Sequence, residues 1–172
     1  STVLFNIIGN DVDVNGVALN RSDLTPGTAG RQTDVTVTEG RWRVDNIGRA
    51  RFNPAINFTG VATRTYVTQD LTGAPSSVGL LTVYVGPITA NDVATTNYAV
   101  AVPINVTGND VDVDGFNLAS VDLDPGTPGQ QTSRTITNRG VFAVDASGIV
   151  TYTPTSTYIG PTTISYRVRD IY

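Results

Sequence analysis

Aspartate residues at alternate positions, followed by a glycine, occur twice in this chain. The two copies read NDVDVNG at residues 10–16 and NDVDVDG at residues 109–115. Oxygen ligands at this spacing are typical of the start of a Ca²⁺ loop. The candidate ligands are Asp11, Asp13, Asn15, Asp110, Asp112 and Asp114. An EF-hand is excluded, because Ser22 and Val121 occupy the twelfth positions, where that loop needs a bidentate Glu.

The valines between these acids suggest how each motif could fold. At a strand end, Val12 and Val14 would face the core and the carboxylates would project from the opposite side, and the same holds for Val111 and Val113. Carboxylates about 7 Å apart on one face repel each other, and a hard cation, or water and salt, would relieve the repulsion. Further oxygen ligands could come from Asp23, Asp122, Asp92, Asp70 and Asp170. The motif therefore predicts either a calcium site or a plain Asp-Gly turn without an ion.

Arginines form a second cluster, in the stretch RWRVDNIGRARF at residues 41–52. Strand alternation around a DNIG turn puts Trp42, Val44, Ala50 and Phe52 on a core face. The opposite face carries Arg41, Arg43, Arg49 and Arg51, which we call the arginine face. Like charges across a hairpin are destabilising, so we expect either nearby acids such as Asp34 and Glu39, or an anionic ligand such as a carboxylated or sulfated polysaccharide.

The composition excludes most catalytic and nucleic-acid-binding functions. The chain has no Cys, His or Lys, which removes the usual zinc and haem ligands and the Schiff-base nucleophile. Glu39 is the single acid that is not Asp, and no nucleophile–base constellation is visible, so we predict that the protein is not an enzyme. The net charge of −4 argues against nucleic acid, and no apolar run of roughly 20 residues predicts membrane insertion.

The chain contains an internal repeat. VLFNIIGNDVDVNG at residues 3–16 aligns with VPINVTGNDVDVDG at residues 102–115, and GRWRVDNIGRARFNP at 40–54 aligns with GVFAVDASGIVTYTP at 140–154. A repeat near 100 residues is too long for a solenoid unit and suits self-contained domains, each with its own core. The four arginines of the arginine face align with Val141, Ala143, Ile149 and Thr151, so a structural role common to both copies does not explain them.

Both copies consist of short alternating runs bounded by Gly, Pro, Asn and Asp, which predicts an all-β protein. About seven runs per copy, with Tyr66 and Tyr166 in Y-x-x-x-D strands, point to two tandem immunoglobulin-like β-sandwich modules in an elongated arrangement. We expect the first at residues 1–87, lacking its first strand, and the second at 88–172, lacking its last strand. The sequence is then a window of a longer tandem array.

The segments VDLDPGTPGQQT and GVFAVDASGIVTYTP, with YRVRD near the end, resemble the CshA-type fibril repeat. ANDVATTN with NVTGNDVDVDG resembles the opening of bacterial cadherin-like repeats, which occur in large secreted adhesins and in surface filaments of gliding bacteria. The resemblance implies an extracellular stalk or adhesive segment on a bacterial cell surface. Its expected partners are neighbouring repeats of the same chain, with an anionic polysaccharide or another surface protein as further partners. The alternative function is carbohydrate binding by the arginine face.

Overall fold

The computed structural model describes residues 2–172, and the chain divides into two compact units on either side of the Val85–Gly86 bond. Every regular element in the described residues is a β-strand, which confirms the all-β prediction. Consequently, none of these residues belongs to a helix that could cross a membrane. Each unit is described separately below.

The first unit contains six strands in two antiparallel sheets. They are β1 Val3–Asn6, β2 Asp34–Val37, β3 Gly40–Val44, β4 Arg49–Pro54, β5 Gly60–Tyr66 and β6 Gly79–Val85. One sheet has the order β1-β4-β3-β2, and β5 pairs with β6 in the other. A seventh run, near residues 17–23, forms only the isolated bridges Val17↔Asp70 and Asp23↔Val67.

The second unit repeats the four-stranded sheet of the first and differs in its second sheet. Its strands are β7 Val102–Asn105, β8 Phe116–Asp122, β9 Ser133–Ile136, β10 Gly140–Val144, β11 Ile149–Pro154 and β12 Arg167–Asp170. The four-stranded sheet has the order β7-β11-β10-β9, which is the order of the first unit shifted along the chain. The second sheet pairs β12 with β8, where the first unit has only isolated bridges.

The core of the first unit follows from the alternation of its hairpin. Trp42 and Phe52 lie opposite each other in the β3–β4 register and are fully buried, with ring centroids 4.5 Å apart. Val44 and Ala50 are also buried, while the arginines between them point outward. The predicted core face is therefore confirmed, and Trp42 is a core residue.

The second unit builds the same core from smaller or more polar aromatic residues. Phe142 takes the position of Trp42 and Tyr152 that of Phe52, again with ring centroids 4.5 Å apart. Below them lie Val121 and Leu123, both fully buried. The Tyr152 hydroxyl remains satisfied because it donates to the Arg139 carbonyl oxygen at 2.8 Å.

A tyrosine hydroxyl in each unit reaches the backbone just after the first strand of the four-stranded sheet. The Tyr66 hydroxyl donates to the Ile7 carbonyl oxygen at 3.0 Å, and the Tyr166 hydroxyl donates to the Val106 carbonyl oxygen at 2.6 Å. The two hydrogen bonds span 59 and 60 residues of sequence, so each ties distant parts of its unit together. The Y-x-x-x-D motif therefore marks a structural position in both units.

Asp145 organises the β10–β11 turn. Its carboxylate accepts hydrogen bonds from the Ser147 hydroxyl at 2.7 Å and from the backbone N–H groups of Ser147 and Ile149 at 2.9 and 3.0 Å. The Ser147 hydroxyl, followed by these amides, holds the pKa of Asp145 below its usual value. Hydrogen bonds to the charged form thus favour the ionised carboxylate in the folded state.

The depressed pKa of Asp145 predicts an acid-side loss of stability. Its contribution is fully present above the unfolded pKa of about 4 and is lost as the pH falls through the lower folded value. Melting curves between pH 7 and pH 2.5 should show a smaller drop for Asp145→Asn, which retains an oxygen acceptor but does not titrate. Ser147→Ala should give part of the same change. An identical pH slope in Asp145→Asn and the unchanged protein would contradict the prediction.

Candidate functional site

The two Asp-rich motifs fold as loops. Residues 11–15 are irregular or turn, and in the second unit the strand β8 begins only at Phe116, after the motif. The expectation that the valines face the core is wrong: Val12 and Val14 are 96% and 98% exposed, and Val111 and Val113 are exposed as well. The physical reason is that each loop is held by hydrogen bonds of its acids, and no neighbouring strand covers its valines.

In the second unit, the segment before the first strand runs beside the motif. Ile88 and Val111 exchange two backbone hydrogen bonds of 3.0 and 2.9 Å. Farther along, the Ala90 N–H donates to the Asp110 Oδ1 at 2.7 Å, and the Asn109 side-chain amide donates to the Asn91 carbonyl oxygen at 3.0 Å. This pairing brings Asp92, 18 residues away in sequence, to the side of Asp110.

The Tyr166 hydroxyl contacts both Asp92 and Asp110, and we call these three residues the acidic cluster of the second unit. The hydroxyl lies 3.3 Å from the Asp110 Oδ2 and also hydrogen-bonds the Asp92 carboxylate. Burial, assisted by the nearby Asp110 charge, raises the pKa of Asp92 above its usual value, although hydrogen bonds from Tyr166 and Asn109 oppose the shift. Burial and the two carboxylates also raise the pKa of Tyr166. The site therefore concentrates negative charge in a partly desolvated place.

One carboxylate oxygen of this cluster, Asp92 Oδ2, is buried and has no hydrogen-bond partner, and the same holds for Asp114 Oδ2 in the motif. Asp112 and Asp114 lie half-buried in the same loop as Asp110. However, no three acidic side chains within residues 2–172 are arranged as a metal-binding group. Calcium also accepts carbonyl and water oxygens, so the residues present suit a hard cation whose remaining ligands are not carboxylates.

The corresponding loop of the first unit is more open. Asp11 reproduces the Asp110 contact, since the Tyr66 hydroxyl lies 3.2 Å from its Oδ1. Asp13 accepts the Asn15 N–H at 2.7 Å, and the Asn15 side-chain amide reaches the Asp70 Oδ2 at 3.5 Å. The position equivalent to Asp92 lies before residue 1, so the two loops can be compared only through Asp11, Asp13 and Asn15.

Asp23 and Asp122, two of the additional candidates, hold loops. Asp23 Oδ1 accepts the N–H groups of Thr25 and Gln32 at 2.9 and 3.0 Å. Asp122 Oδ1 does the same for Asp124 and Gln131, at 3.0 and 3.1 Å. Asp23 and Asp122 therefore hold the same loop in their respective units, which gives a structural reason for an Asp at this position of both copies.

The strand-end acids, Asp70 and Asp170, are likewise engaged in local turns. The Asp70 carboxylate accepts the Thr72 hydroxyl and the Ala74 N–H, each at 2.7 Å. Asp170 Oδ1 accepts the Tyr172 N–H at 3.1 Å. The sequence offered both residues as further oxygen ligands, and the structure shows each carboxylate accepting local hydrogen bonds.

The arginine face is partly neutralised by acids of the same sheet. Arg41 makes a two-contact ion pair with Asp34, its Nε at 2.7 Å from Oδ1, and Arg43 lies 3.6 Å from the same carboxylate. Arg49 pairs with Asp45 at 2.9 Å. Of the two expected acids, Asp34 pairs with the arginine face, whereas Glu39 forms no ion pair with it among the described residues. Asp45, which also pairs with an arginine of this face, was not expected from the sequence. Arg51 makes no ion pair within the described residues.

A polar groove of about 590 Å³ in the second unit was not expected from the sequence. Its walls are the loop Pro125–Gln130 and the outer side of β12, where Arg167 and Arg169 project. In the first unit these arginines align with Val67 and Gln69. Comparing the two copies position by position would have revealed this charge difference.

Comparison with known proteins identifies one family. The sequence model of the bacterial Ig domain matches residues 85–171, which is half of the chain. The matched range contains the complete acidic cluster of the second unit and all strands from β7 to β12. Searches of curated proteins and of solved structures returned no significant match.

Proposed function

The chain belongs to the bacterial Ig domain family, and on this premise we propose that it is a structural segment of a bacterial cell-surface protein. The observation that carries this proposal is the repetition of one sheet plan in two consecutive units, with the order β1-β4-β3-β2 in the first and β7-β11-β10-β9 in the second. Units with separate cores can be joined in series without changing each other's fold, which suits a stalk that presents an adhesive end.

The finer proposal is a CshA-type stalk or adhesive segment, located outside the cell and contacting neighbouring repeats of its own chain. Two features support a spacer role. Each unit has its own buried core, and the acids repeated in both units brace loops. A spacer needs mechanical integrity more than a binding pocket, and antiparallel ladders supply it.

Two measurements test this proposal. Antibodies against the chain should label intact cells of the source bacterium as strongly as permeabilised cells. When the chain is pulled from its ends, it should unfold in two separate events, each releasing roughly 300 Å of extended chain for about 86 residues. Labelling confined to permeabilised cells, or a single unfolding event at low force, would contradict a surface stalk.

Binding of an anionic polysaccharide by the arginine face is the alternative adhesive role. Four arginines face two acids, Asp34 and Asp45, so the face keeps an excess of two positive charges, and Arg51 is unpaired among the described residues. Retention on a sulfated polysaccharide column should fall in a double variant, Arg43→Gln with Arg51→Gln, and stay unchanged in Arg31→Gln, which lies in an exposed loop. Equal elution of all three proteins would remove this role.

We further propose that the acidic cluster of the second unit binds Ca²⁺. The buried oxygen of Asp92 that lacks a hydrogen-bond partner, beside the Asp110 carboxylate, is the observation that favours this site. The carboxylates of Asp92 and Asp110 would bind the cation directly. The positive charge of the cation would then stabilise the ionised form of Asp92, which burial disfavours.

Calcium should therefore raise the melting temperature of the second unit. At a Ca²⁺ concentration a hundred times Kd, the added stability is about 2.7 kcal/mol. Calorimetry with chelator and with millimolar Ca²⁺ measures this shift. The double variant Asp92→Asn with Asp110→Asn should abolish the response and, in chelator, melt higher than the unchanged protein, because a desolvated charge is gone. Curves that coincide with and without Ca²⁺ would favour the plain Asp-Gly loop.

A further inference from the structure

The first Asp-rich motif ends in the dipeptide Asn15–Gly16, and no other asparagine of the chain is followed by a glycine. Asparagine is thermolabile, because the backbone nitrogen of the next residue can attack the side-chain carbonyl carbon and displace ammonia. A side chain on that next residue hinders the attack, and glycine has none. Asn15 therefore stands in the sequence context in which an asparagine loses its amide most readily.

The fold leaves the backbone nitrogen of Gly16 outside any strand ladder. Asn15 lies in a turn, and Gly16 is irregular. The Gly16 N–H donates to the Asp13 carbonyl oxygen at 3.2 Å, which is a hydrogen bond closed within the loop. The Gly16 carbonyl oxygen, in contrast, accepts the Leu71 N–H at 3.1 Å and is tied to a distant segment. Freeing the nitrogen for attack therefore breaks one local hydrogen bond and no pairing between strands.

The side chain of Asn15 is exposed and weakly held. Its amide nitrogen reaches the Asp70 Oδ2 at 3.5 Å, the outer limit of a hydrogen bond. The short bond at this residue runs from its backbone N–H to the Asp13 Oδ1, at 2.7 Å, and it fixes the main chain and not the amide. The side chain can thus rotate toward the Gly16 nitrogen without leaving a packed position.

In the second unit, the segment that runs beside the motif makes its hydrogen bonds at the start of the motif. Residues 88–91 hydrogen-bond residues 109–111, which align with residues 10–12 of the first motif. The residue aligned with Asn15 is Asp114, three positions beyond those contacts. The site of attack therefore lies outside the stretch with which such a segment pairs.

The second unit also shows that the product fits the loop. Asp114 occupies the Asn15 position there and is followed by Gly115. Gly16 and Gly115 have φ values of 81° and 100°, so both loops turn through a left-handed glycine. An aspartate at residue 15 is therefore compatible with the backbone of this loop.

From these observations we propose that Asn15 is a site of spontaneous deamidation, which changes the first motif from NDVDVNG to the NDVDVDG of the second. The Gly16 nitrogen bonds to the Asn15 Cγ and gives up its proton, the Cγ–Nδ2 bond breaks, and ammonia leaves. Water then opens the succinimide ring. Its attack at Cγ restores the peptide bond and gives aspartate, whereas its attack at the Asn15 backbone carbonyl carbon gives isoaspartate. Each event consumes one water and releases one ammonia.

Mass spectrometry of the complete chain, incubated at pH 9 in water labelled with oxygen-18, tests the proposal. The tryptic peptide of residues 1–21 contains Asn6, Asn10, Asn15 and Asn20, so one spectrum compares four asparagines. Asn15 should convert at least tenfold faster than each of the other three, take up one labelled oxygen and yield both aspartate and isoaspartate. Equal rates at the four positions, or aspartate as the sole product, would overturn the proposal.

Gly16→Asn is the matched variant for the attacking residue. Asparagine adopts a left-handed φ more readily than most residues, so it suits the 81° of Gly16. Its Cβ would meet the Leu71 Cδ1 at 3.3 Å, the end of a flexible side chain. The added Cβ should slow the conversion of Asn15 at least fivefold while the first melting transition remains. An unchanged conversion rate would refute attack by the nitrogen of residue 16.

The same rates measured in urea separate the chemistry of the dipeptide from the effect of the fold. The folded chain should convert Asn15 at no less than a tenth of the rate of the unfolded chain, because one loop hydrogen bond protects the Gly16 nitrogen. A folded chain that stays unmodified while the unfolded chain converts would mean that the loop blocks the reaction, and the proposed site is wrong.

Deamidation should also weaken the first unit. It replaces a hydrogen-bond donor by a carboxylate next to Asp70 and Asp13, and it changes the net charge from −4 to −5. Like charges within one loop repel. In chelator, Asn15→Asp, which mimics the aspartate product, should therefore lower the melting temperature of the first unit and leave that of the second unchanged. An equal or higher first transition would overturn this consequence, while the mass spectrum decides the modification by itself.

Discussion

Replacing Trp42 by alanine should lower the free energy of unfolding of the first unit by about 3–5 kcal/mol. Trp42 is fully buried, stacks on Phe52 at 4.5 Å and lies 6.2 Å from the ring of Phe5, so its removal leaves a cavity lined by two aromatic rings. These rings belong to β1 and β4, whose backbones are fixed by their pairing with each other. The two strands therefore cannot move to fill the cavity without breaking backbone hydrogen bonds. Calorimetry should show the first transition lost or strongly lowered and the second unchanged.

The second unit supplies the matched control for this substitution. Phe142 fills the Trp42 position there, so Trp42→Phe should cost clearly less than Trp42→Ala, because a phenyl ring retains most of the contact with Phe52 and leaves a smaller cavity. The smaller ring also removes the Trp42 Nε1, a buried donor without a hydrogen-bond partner. If Trp42→Phe were as destabilising as Trp42→Ala, the equivalence of the two cores would be wrong.

Gly140→Ala should destabilise the second unit by about 3 kcal/mol. Gly140 has a φ of 154°, and a Cβ there would meet the Thr153 carbonyl oxygen and lie 2.9 Å from the Pro154 Cα. Because these are backbone atoms of the paired strand β11, no side-chain rotation relieves the clash, and strain and overpacking each contribute about 1–3 kcal/mol. Denaturant unfolding of the whole chain measures the loss.

Gly129→Ala is the control for the Gly140 prediction. Gly129 also has a positive φ, of 87°, but an added Cβ there would have no atom within 4 Å. Its cost should therefore be that of the backbone conformation alone, about 1–2 kcal/mol. A cost at Gly129 equal to that at Gly140 would mean that crowding against β11 contributes nothing.

Much of the fold could be predicted from the sequence because strand alternation has a period of two. In RWRVDNIGRARF that period separates Trp42 and Phe52 from Arg41 and Arg51 without further information, and the structure confirms the separation. The DNIG segment added the hairpin turn, and the Y-x-x-x-D motif pointed to Tyr66 and Tyr166 without showing which backbone groups their hydroxyls bind. The seventh run of the first unit, near residues 17–23, does not form a regular strand. Only two isolated bridges connect it to residues 67 and 70.

The candidate site was less predictable, because the alternation of acids and valines in the two motifs wrongly suggested a strand with buried valines. DVDV has the period of a strand, but Asp11 and Asp13 hold a loop through Tyr66 and through the Asn15 backbone amide, and the intervening valines face water. Distant contacts are the second reason. The position of Asp92 beside Asp110 depends on the Ile88–Val111 pairing, which no local pattern in the sequence encodes.

The pairing of β1 with β4 has a consequence for how the chain folds. Val3 lies opposite Phe52, and Asn6 lies opposite Arg49, so the first strand waits for residues more than 40 positions later before it has any partner. Such non-local ladders fold slowly, in milliseconds to seconds, because a long loop must close first. A chain that emerged from a narrow channel with its N-terminus first would carry β1 as an unpaired strand until β4 had followed. Only then could the four-stranded sheet of the first unit be completed, and a completed unit could no longer slip back through the channel.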